Sequence, residues 1–132
     1  MATKIYIDQG HNPVNPNAGA EGNGLREQDL VYVIGQELAA RLRADPDFEV
    51  RLSRPTRDTL LGTTNATSLA ARVSEANRWG ADYFISLHTN AGLGLRVETT
   101  GDAYMGINLD APAEKLADAV ALLNEYVTAP VF

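Results

Sequence analysis

The sequence predicts an α/β domain in which a mainly parallel β-sheet carries helices on both faces. Residues 4–8 and 83–87 are apolar runs of strand length that are rich in β-branched and aromatic side chains. Segments with helical spacing of apolar residues alternate with these runs, which is typical of parallel strands joined by helical crossovers. The 132 residues are 45% hydrophobic and 21% charged, as expected for one globular domain. In such a domain ligands bind at the carboxyl ends of the strands.

The first half of the chain predicts a strand, a long loop, a helix and a second strand. The strand over 4–8 ends at Gly10, and residues 12–24 contain too many Pro, Asn and Gly for a regular element. Residues 27–43 have an acidic first turn and an Arg-rich last turn, which suit the helix dipole. The predicted apolar face of this helix consists of Leu30, Val33, Ile34, Leu38 and Leu42. Residues 48–53 alternate as a half-buried strand does.

The second half predicts a helix, the central strand, a hairpin and a final helix. The helix begins near Asn65 or Thr67 and ends at Gly80. Its predicted apolar face is Leu69, Val73 and Ala76. The run 83–87 is typical of the middle of a parallel sheet, and residues 95–99 are expected to pair with 103–107 across a turn at 100–102. Asp110 is expected to cap a last helix lined by Leu116, Val120, Leu123 and Val127.

Composition argues against several classes of partner. Eleven basic and seventeen acidic residues give a net charge of −6, which repels nucleic acid and anionic lipid. The chain has no cysteine, so thiolate metal sites and cysteine nucleophiles are excluded. No apolar stretch is long enough to predict membrane insertion. The first residues lack the apolar region of a secretory signal. We therefore expect export by other means, release at lysis, or excision from a larger secreted protein.

The only two histidines of the chain lie where catalytic groups are expected. His11 follows the first strand and His88 follows the strand over 83–87, so both lie beyond carboxyl ends of the sheet. Glu27 begins the first predicted helix and can face the same edge. Two His and one Glu form a ligand set of catalytic zinc, with a fourth position for water. From the residues alone, Glu27 can also serve the helix dipole, and each histidine can be an ordinary hydrogen-bonding residue.

Five segments resemble one enzyme family in the same order along the chain. They are Ile-Tyr-Ile-Asp-Gln-Gly-His at 5–11, Gly-Leu-Arg-Glu-Gln-Asp-Leu at 24–30, Ser-Arg with a following Asp at 53–58, Ala-Ala-Arg to Ala-Asn at 70–77, and Gly-Ala-Asp-Tyr-Phe-Ile-Ser-Leu-His-Thr-Asn-Ala at 80–91. Together they resemble the zinc-dependent N-acetylmuramoyl-L-alanine amidases. The usual first motif is Asp-Pro-Gly-His, so Gln9 stands in place of a proline, and the third motif has one extra residue in its spacing.

The resemblance implies a metal site and a reaction. His11, Glu27 and His88 match the family's zinc ligands. The implied reaction is hydrolysis of the amide between N-acetylmuramic acid and L-alanine in peptidoglycan, at the bacterial cell wall, by an autolysin or endolysin. Asp8 and Asn90 are expected either to orient an imidazole or simply to end their strands. Arg54 is expected to pair with a surface carboxylate and Trp79 to pack on its helix.

One family feature has no counterpart in this sequence. The amidases use a glutamate on a late strand as proton acceptor and donor, and residues 111–132 lack that pattern. Glu98 is the remaining candidate for this catalytic role. We therefore expect residues 1–132 to be an amidase-like catalytic domain that is incomplete at its C-terminus, with slow cleavage and an open sheet edge through which it can self-associate.

Two other functions remain open at this point. The first is a zinc-containing module that binds muramyl peptide with little or no hydrolysis. The second is a zinc peptidase or deacetylase that uses the same ligands. Reaction products distinguish all three functions.

Overall fold

We describe a computed structural model for residues 1–22 and 24–89, together with the backbones of two further strands at 96–100 and 106–110. In chain order the elements are β1 (Thr3–Gln9), β2 (Glu21–Gly22), β3 (Leu25–Arg26), α1 (Glu27–Arg43), β4 (Phe48–Leu52), α2 (Asn65–Trp79), β5 (Tyr83–Leu87), β6 (Arg96–Thr100) and β7 (Gly106–Asp110). Neither α1 nor α2 is long and apolar enough to cross a membrane.

The main sheet has five strands in the order β4-β1-β5-β7-β6. The pairs β1–β4, β1–β5 and β5–β7 are parallel, and only β6–β7 is antiparallel. The predicted mainly parallel sheet is therefore confirmed, with β5 in its centre. The bounds of β5 and α1 are those predicted from the sequence.

Side chains of β1 alternate between two helices on opposite faces of the sheet. Ile5 and Ile7 pack in the apolar cluster that includes residues of α1. On the other face, the hydroxyl of Tyr6 donates to Glu75 of α2 at 2.9 Å, and its ring stacks on Phe84 at 5.4 Å. Burial and this hydrogen bond both raise the pKa of Tyr6. This alternation confirms that the sheet carries helices on both faces.

The apolar core lies between α1 and the sheet. It contains Ile5, Ile7, Val31, Leu38, Ala39, Leu42, Leu52, Ile85 and Leu87. The stripe of α1 that faces the sheet differs from the predicted one. Val33 is exposed and Val31 is buried. Relative to the predicted orientation, α1 is rotated about its axis. Its buried face begins with Glu27 and Gln28 and includes Gly35, which packs on Gln9 at the end of β1.

The predicted apolar face of α2 is wrong for Leu69 and Val73 and right for Ala76. Leu69 and Val73 are exposed, whereas Ser68 and Arg72 are buried together with Ala76. The polar stripe faces inward because its groups find hydrogen-bond partners there, and a buried charge is tolerated only when it is paired. For example, the hydroxyl of Ser68 accepts a hydrogen bond from the side-chain amide of Asn17 at 3.0 Å.

The ends of α2 follow ordinary capping rules. Thr64, rather than Asn65 or Thr67, is the N-cap, and Thr64 and Thr67 form a reciprocal capping box. Gly80 ends the helix with φ of 75°, in the left-handed region that glycine adopts without strain, so the predicted stop is confirmed.

Two loop regions depart from the predicted pattern. The long loop after β1 closes in a small antiparallel pair, β2 with β3. The predicted late hairpin is present, but its second strand is β7 rather than residues 103–107, so Asp110 ends a strand. The predicted final helix over 110–127 lies outside the described residues beyond Asp110.

Two leucine substitutions distinguish the observed packing from the predicted one. We expect Leu38→Ala to lower the free energy of unfolding by about 2–5 kcal/mol, because Leu38 is fully buried in the core. Leu69→Ala should change it by less than about 0.5 kcal/mol, because Leu69 is 54% exposed. Urea denaturation measures both values, and equal costs would contradict the orientation of α2.

Candidate metal centre

Parallel pairing of β1 with β5 brings the two histidines together. The register pairs Asp8 with Ser86 and Gln9 with Leu87, so the chain leaves both strands at the same level. The amide of Gly10 then donates to the carbonyl of Leu87 at 3.1 Å. His11 and His88 therefore follow at one edge of the sheet, where the sequence predicted them.

Gly10 allows the two strand ends to approach closely. A Cβ atom at this position would lie 2.5 Å from Cε1 of His88 and 2.6 Å from the carbonyl oxygen of Leu87. Any larger residue would push the backbone after β1 away from β5. The glycine is required for the spacing of the site.

Glu27 reaches the same place from the first residue of α1. Its Oε1 accepts from the backbone amide of Thr89 at 3.0 Å, and its Oε2 accepts from that of Ala20 at 3.1 Å. Its own amide donates to the Ala20 carbonyl at 2.9 Å. The helix N-terminus also favours a negative charge. The carboxylate is thus buried and held on both oxygens.

Three potential ligand atoms converge at this edge. His11 Nε2, Glu27 Oε1 and His88 Nδ1 are each 3.2 Å from the other two. Ligand atoms about 2.0–2.1 Å from a tetrahedral zinc ion are about 3.3–3.4 Å from one another. The triangle therefore fits a small tetrahedral cation with three protein ligands. Within the described part of the chain, this trio is the one cluster of metal-ligating side chains.

The electrostatics of the trio also suit a cation. Burial acts to raise the pKa of Glu27, but hydrogen bonds from His11, His88 and the Ala20 amide outweigh it and hold that pKa well below its usual range. The hydrogen bond to Glu27 raises the pKa of His11, against the effect of burial. The carboxylate therefore stays ionised beside two imidazoles. His11 and His88 keep 19% and 26% of their side-chain surface exposed, so both rings are partly accessible to solvent.

A buried guanidinium holds the turn that carries His11. His11 has φ of 66°, an uncommon conformation for a non-glycine residue. Arg72 of α2 donates to the His11 carbonyl at 2.8 Å and to the Gln9 carbonyl at 2.7 Å. It also contacts Asn12 Oδ1 at 3.2 Å. Sequence reasoning missed this role, although Arg72 lies within 70–77, one of the five segments that carry the resemblance.

Asp8 does not orient an imidazole. Its Oδ1 accepts from Arg72 at 2.6 Å, and its Oδ2 accepts from the hydroxyl of Ser86 at 3.0 Å. The predicted tautomer role is therefore wrong for Asp8. Its charge is used to neutralise the buried arginine. Asn90, the other candidate for that role, lies outside the described residues.

Arg54 is buried rather than paired with a surface carboxylate. Its guanidinium donates to the carbonyls of Gln28 at 2.8 Å and Arg57 at 3.1 Å and lies over the ring of Tyr32. Burial lowers the pKa of Arg54. Backbone carbonyls serve it because the loop after β4 folds back against the start of α1.

Trp79 and Glu98 are not among the three converging residues. Trp79 is half-buried between the cations of Lys4 and Arg51, 5.5 Å and 4.9 Å from its ring centre. Glu98 lies on β6, which is separated from β5 by β7. The structure describes only the backbone of β6, so the catalytic role of Glu98 stays a prediction.

The structure is an α/β domain in which two histidines and a glutamate converge at the carboxyl ends of the strands. The sequence profile of the family described as N-acetylmuramoyl-L-alanine amidase matches residues 5–121. The chain belongs to this amidase family.

Two curated relatives are similar over the same region. N-acetylmuramoyl-L-alanine amidase CwlM of Bacillus licheniformis is 40% identical over 96 residues, which cover 72% of this chain and 34% of that protein. The sporulation-specific N-acetylmuramoyl-L-alanine amidase of Bacillus subtilis (strain 168) is 38% identical over 96 residues, covering 73% and 34%. The chain thus spans about a third of the length of these relatives.

Solved structures support the fold. The catalytic domain of CwlV, an N-acetylmuramoyl-L-alanine amidase from Bacillus (Paenibacillus) polymyxa var. colistinus, superposes with a TM-score of 0.74 at 19% identity, covering 96% of this chain and 98% of that one. At this identity the likeness establishes a common architecture.

Removing the buried guanidinium tests its part in the fold. We expect Arg72→Met to lower the free energy of unfolding by about 3–5 kcal/mol, because it leaves Asp8 buried without its partner. Denaturation of the metal-free protein measures this change. Arg78→Met, on the exposed side of the same helix, is the matched control and should cost under about 0.5 kcal/mol. Similar values for the two variants would contradict the role of Arg72.

Proposed function

We propose that this chain is a zinc-dependent hydrolase of the amide bond between N-acetylmuramic acid and L-alanine in peptidoglycan. The observation that carries the proposal is the triangle of His11, Glu27 and His88 ligand atoms with 3.2 Å sides. Membership of the amidase family supports the choice of bond. The site of action that follows is the bacterial cell wall.

The three side chains would hold zinc through His11 Nε2, Glu27 Oε1 and His88 Nδ1. When bound, zinc would lower the pKa of a coordinated water towards about 7 and polarise the carbonyl of the scissile amide. The donor set of two imidazoles and a carboxylate is one that zinc uses in catalytic sites.

The protein supplies orientation around this position. The amides of Thr89 and Ala20 fix both carboxylate oxygens of Glu27, so that Oε1 stays directed at the two imidazoles. Arg72 holds the backbone of His11 through its carbonyl. Because these groups are already held in place, little conformational entropy is lost at the site when substrate binds.

The proton acceptor is proposed to be Glu98. A positioned acid or base contributes about 10²- to 10⁴-fold to the rate of the reaction. Replacing it should therefore lower the rate measurably even when zinc and substrate still bind. In the alternative, a muramyl-peptide-binding module with little hydrolysis, the metal ligands are the same and Glu98 takes no part in proton transfer.

A defined muropeptide tests the function directly. Zinc-loaded protein should release a stem peptide with a free L-alanine amino group, identified by mass spectrometry. His88→Ala should lose both the product and the bound zinc, since only two ligands remain. Glu98→Gln should retain zinc and lose at least about 10²-fold in rate.

Several outcomes would contradict parts of this proposal. Binding of muropeptide without release of the amine favours the binding module, and cleavage of another bond favours a peptidase or deacetylase. Full zinc occupancy in His88→Ala by elemental analysis refutes the ligand assignment. Glu37→Ala is the control, because Glu37 is exposed and pairs with Arg41 on the outer side of α1.

Chelation should lower stability moderately without unfolding the chain. The apolar core formed by the described residues contains none of the three proposed ligands, unlike a zinc finger that lacks a core without metal. At a free zinc concentration of about 100 times Kd, binding contributes about 2.7 kcal/mol, which is the expected loss in excess EDTA. Thermal denaturation measures it. Loss of the far-UV circular dichroism signal at room temperature after chelation would contradict the expectation.

A further inference from the structure

Gln9 is a fully buried amide at the end of β1, two residues before His11. It occupies the position at which the resembled motif has proline. A proline lacks a backbone N–H and a polar side chain. Gln9 uses both, since its backbone amide donates to Ser53 Oγ at 2.9 Å. The substitution therefore introduces contacts that a proline cannot make.

The side chain of Gln9 connects β1 to two other segments. Its Oε1 accepts from the backbone amide of Arg54 at 2.9 Å, just after β4. Its Nε2 donates to the carbonyl of Tyr32 at 3.1 Å, in the second turn of α1. The same helix begins with Glu27. One buried side chain thus joins the strand that leads to His11 with the helix that carries Glu27.

Gly35 provides the space for this side chain. A Cβ atom on Gly35 would overlap Cγ of Gln9 and lie 2.9 Å from its Cδ. Glycine inside a helix is unfavourable relative to alanine, so the position disfavours the helix locally. The close approach of Gln9 accounts for a glycine at this point.

We propose that Gln9, seated against Gly35, is a positioning residue that sets the distance between His11 and Glu27 and thereby the metal affinity of the site. The inference rests on the proposed zinc site. It goes beyond the ligands themselves, because Gln9 contacts no ligand side chain and acts through the backbone and through α1.

The first arm of the test measures coupling between Gln9 and Gly35 in metal-free protein. Gly35→Ala should lower Tm by about 5 °C or more in the wild-type background, because the new methyl group overlaps Gln9. In the Gln9→Ala background the same substitution should leave Tm unchanged or raise it, because the methyl group fills vacated space. Equal effects in both backgrounds would overturn the proposed seat of Gln9. This arm needs no zinc, so it stands even if the proposed function fails.

The second arm measures zinc affinity in the double variant Gln9→Ala/Gly35→Ala. In this variant the methyl group of residue 35 fills part of the space that the Gln9 side chain vacates, so the two elements keep a contact without the amide. Competition with a chromophoric chelator should give about 10-fold weaker zinc binding than wild type, the lower end of the effect of removing groups that orient ligands. Co²⁺ spectra should show altered visible bands, since the ligand geometry changes.

The control and the contrary outcome are both defined. Gln36→Ala removes a neighbouring amide of α1 that contacts only the Pro55 carbonyl at 3.3 Å, and it should leave zinc affinity unchanged. A folded double variant with wild-type zinc affinity and Co²⁺ spectrum would show that Gln9 only packs, which overturns the proposal. If wild-type protein itself binds no zinc, the proposed function fails, and the first arm still decides the Gln9–Gly35 contact.

Discussion

The arrangement of the site depends on the buried ion pair between the guanidinium of Arg72 and the carboxylate of Asp8. The guanidinium neutralises Asp8 in the interface between the sheet and α2, where Arg72 is only 1% exposed to solvent. The same group donates to the carbonyl of Gln9, the last residue of β1, and to that of His11, two residues further on. A left-handed conformation at His11 is unfavourable in isolation, and these hydrogen bonds stabilise it. Burying an ion pair has a desolvation cost in free energy, but removing one of its partners costs more, because the other charge is left buried and unpaired.

This constraint explains why the two faces of the sheet differ. The face against α1 is apolar and supplies the core. The face against α2 is polar near the site, so Ser68 and Arg72 point inward and Leu69 and Val73 face outward. Hydrophobic burial stabilises the domain from one side, and a hydrogen-bond network shapes the site from the other. His11, Glu27 and His88 are not part of the apolar core, so the core does not depend on a metal held by them.

The site is assembled at the ends of three elements. His11 follows β1 and His88 follows β5, and the strand register and the close approach at Gly10 bring them together. Glu27 comes from the first residue of α1 and is held by the amides of Ala20 and Thr89. Gln9 and Gly35 add a second connection between β1 and α1. Buried amides that satisfy all their hydrogen bonds specify one geometry, whereas apolar contacts alone tolerate sliding. The precision of the triangle is thus a property of polar groups around it.

The sequence by itself determined the α/β class, the bounds of α1 and β5 and the stop at Gly80, and it predicted that His11, Glu27 and His88 lie at one edge of the sheet. These features depend on local periodicity, glycine conformation and the position of polar residues after apolar strands. Only the tertiary structure decided the inward face of α2, the rotation of α1 and the partners of Asp8, Gln9 and Arg54. Apolar spacing identifies a helix, but the free energy of a buried polar group depends on partners far away in sequence. Arg72 and Asp8 are 64 residues apart, and no local pattern records that they meet.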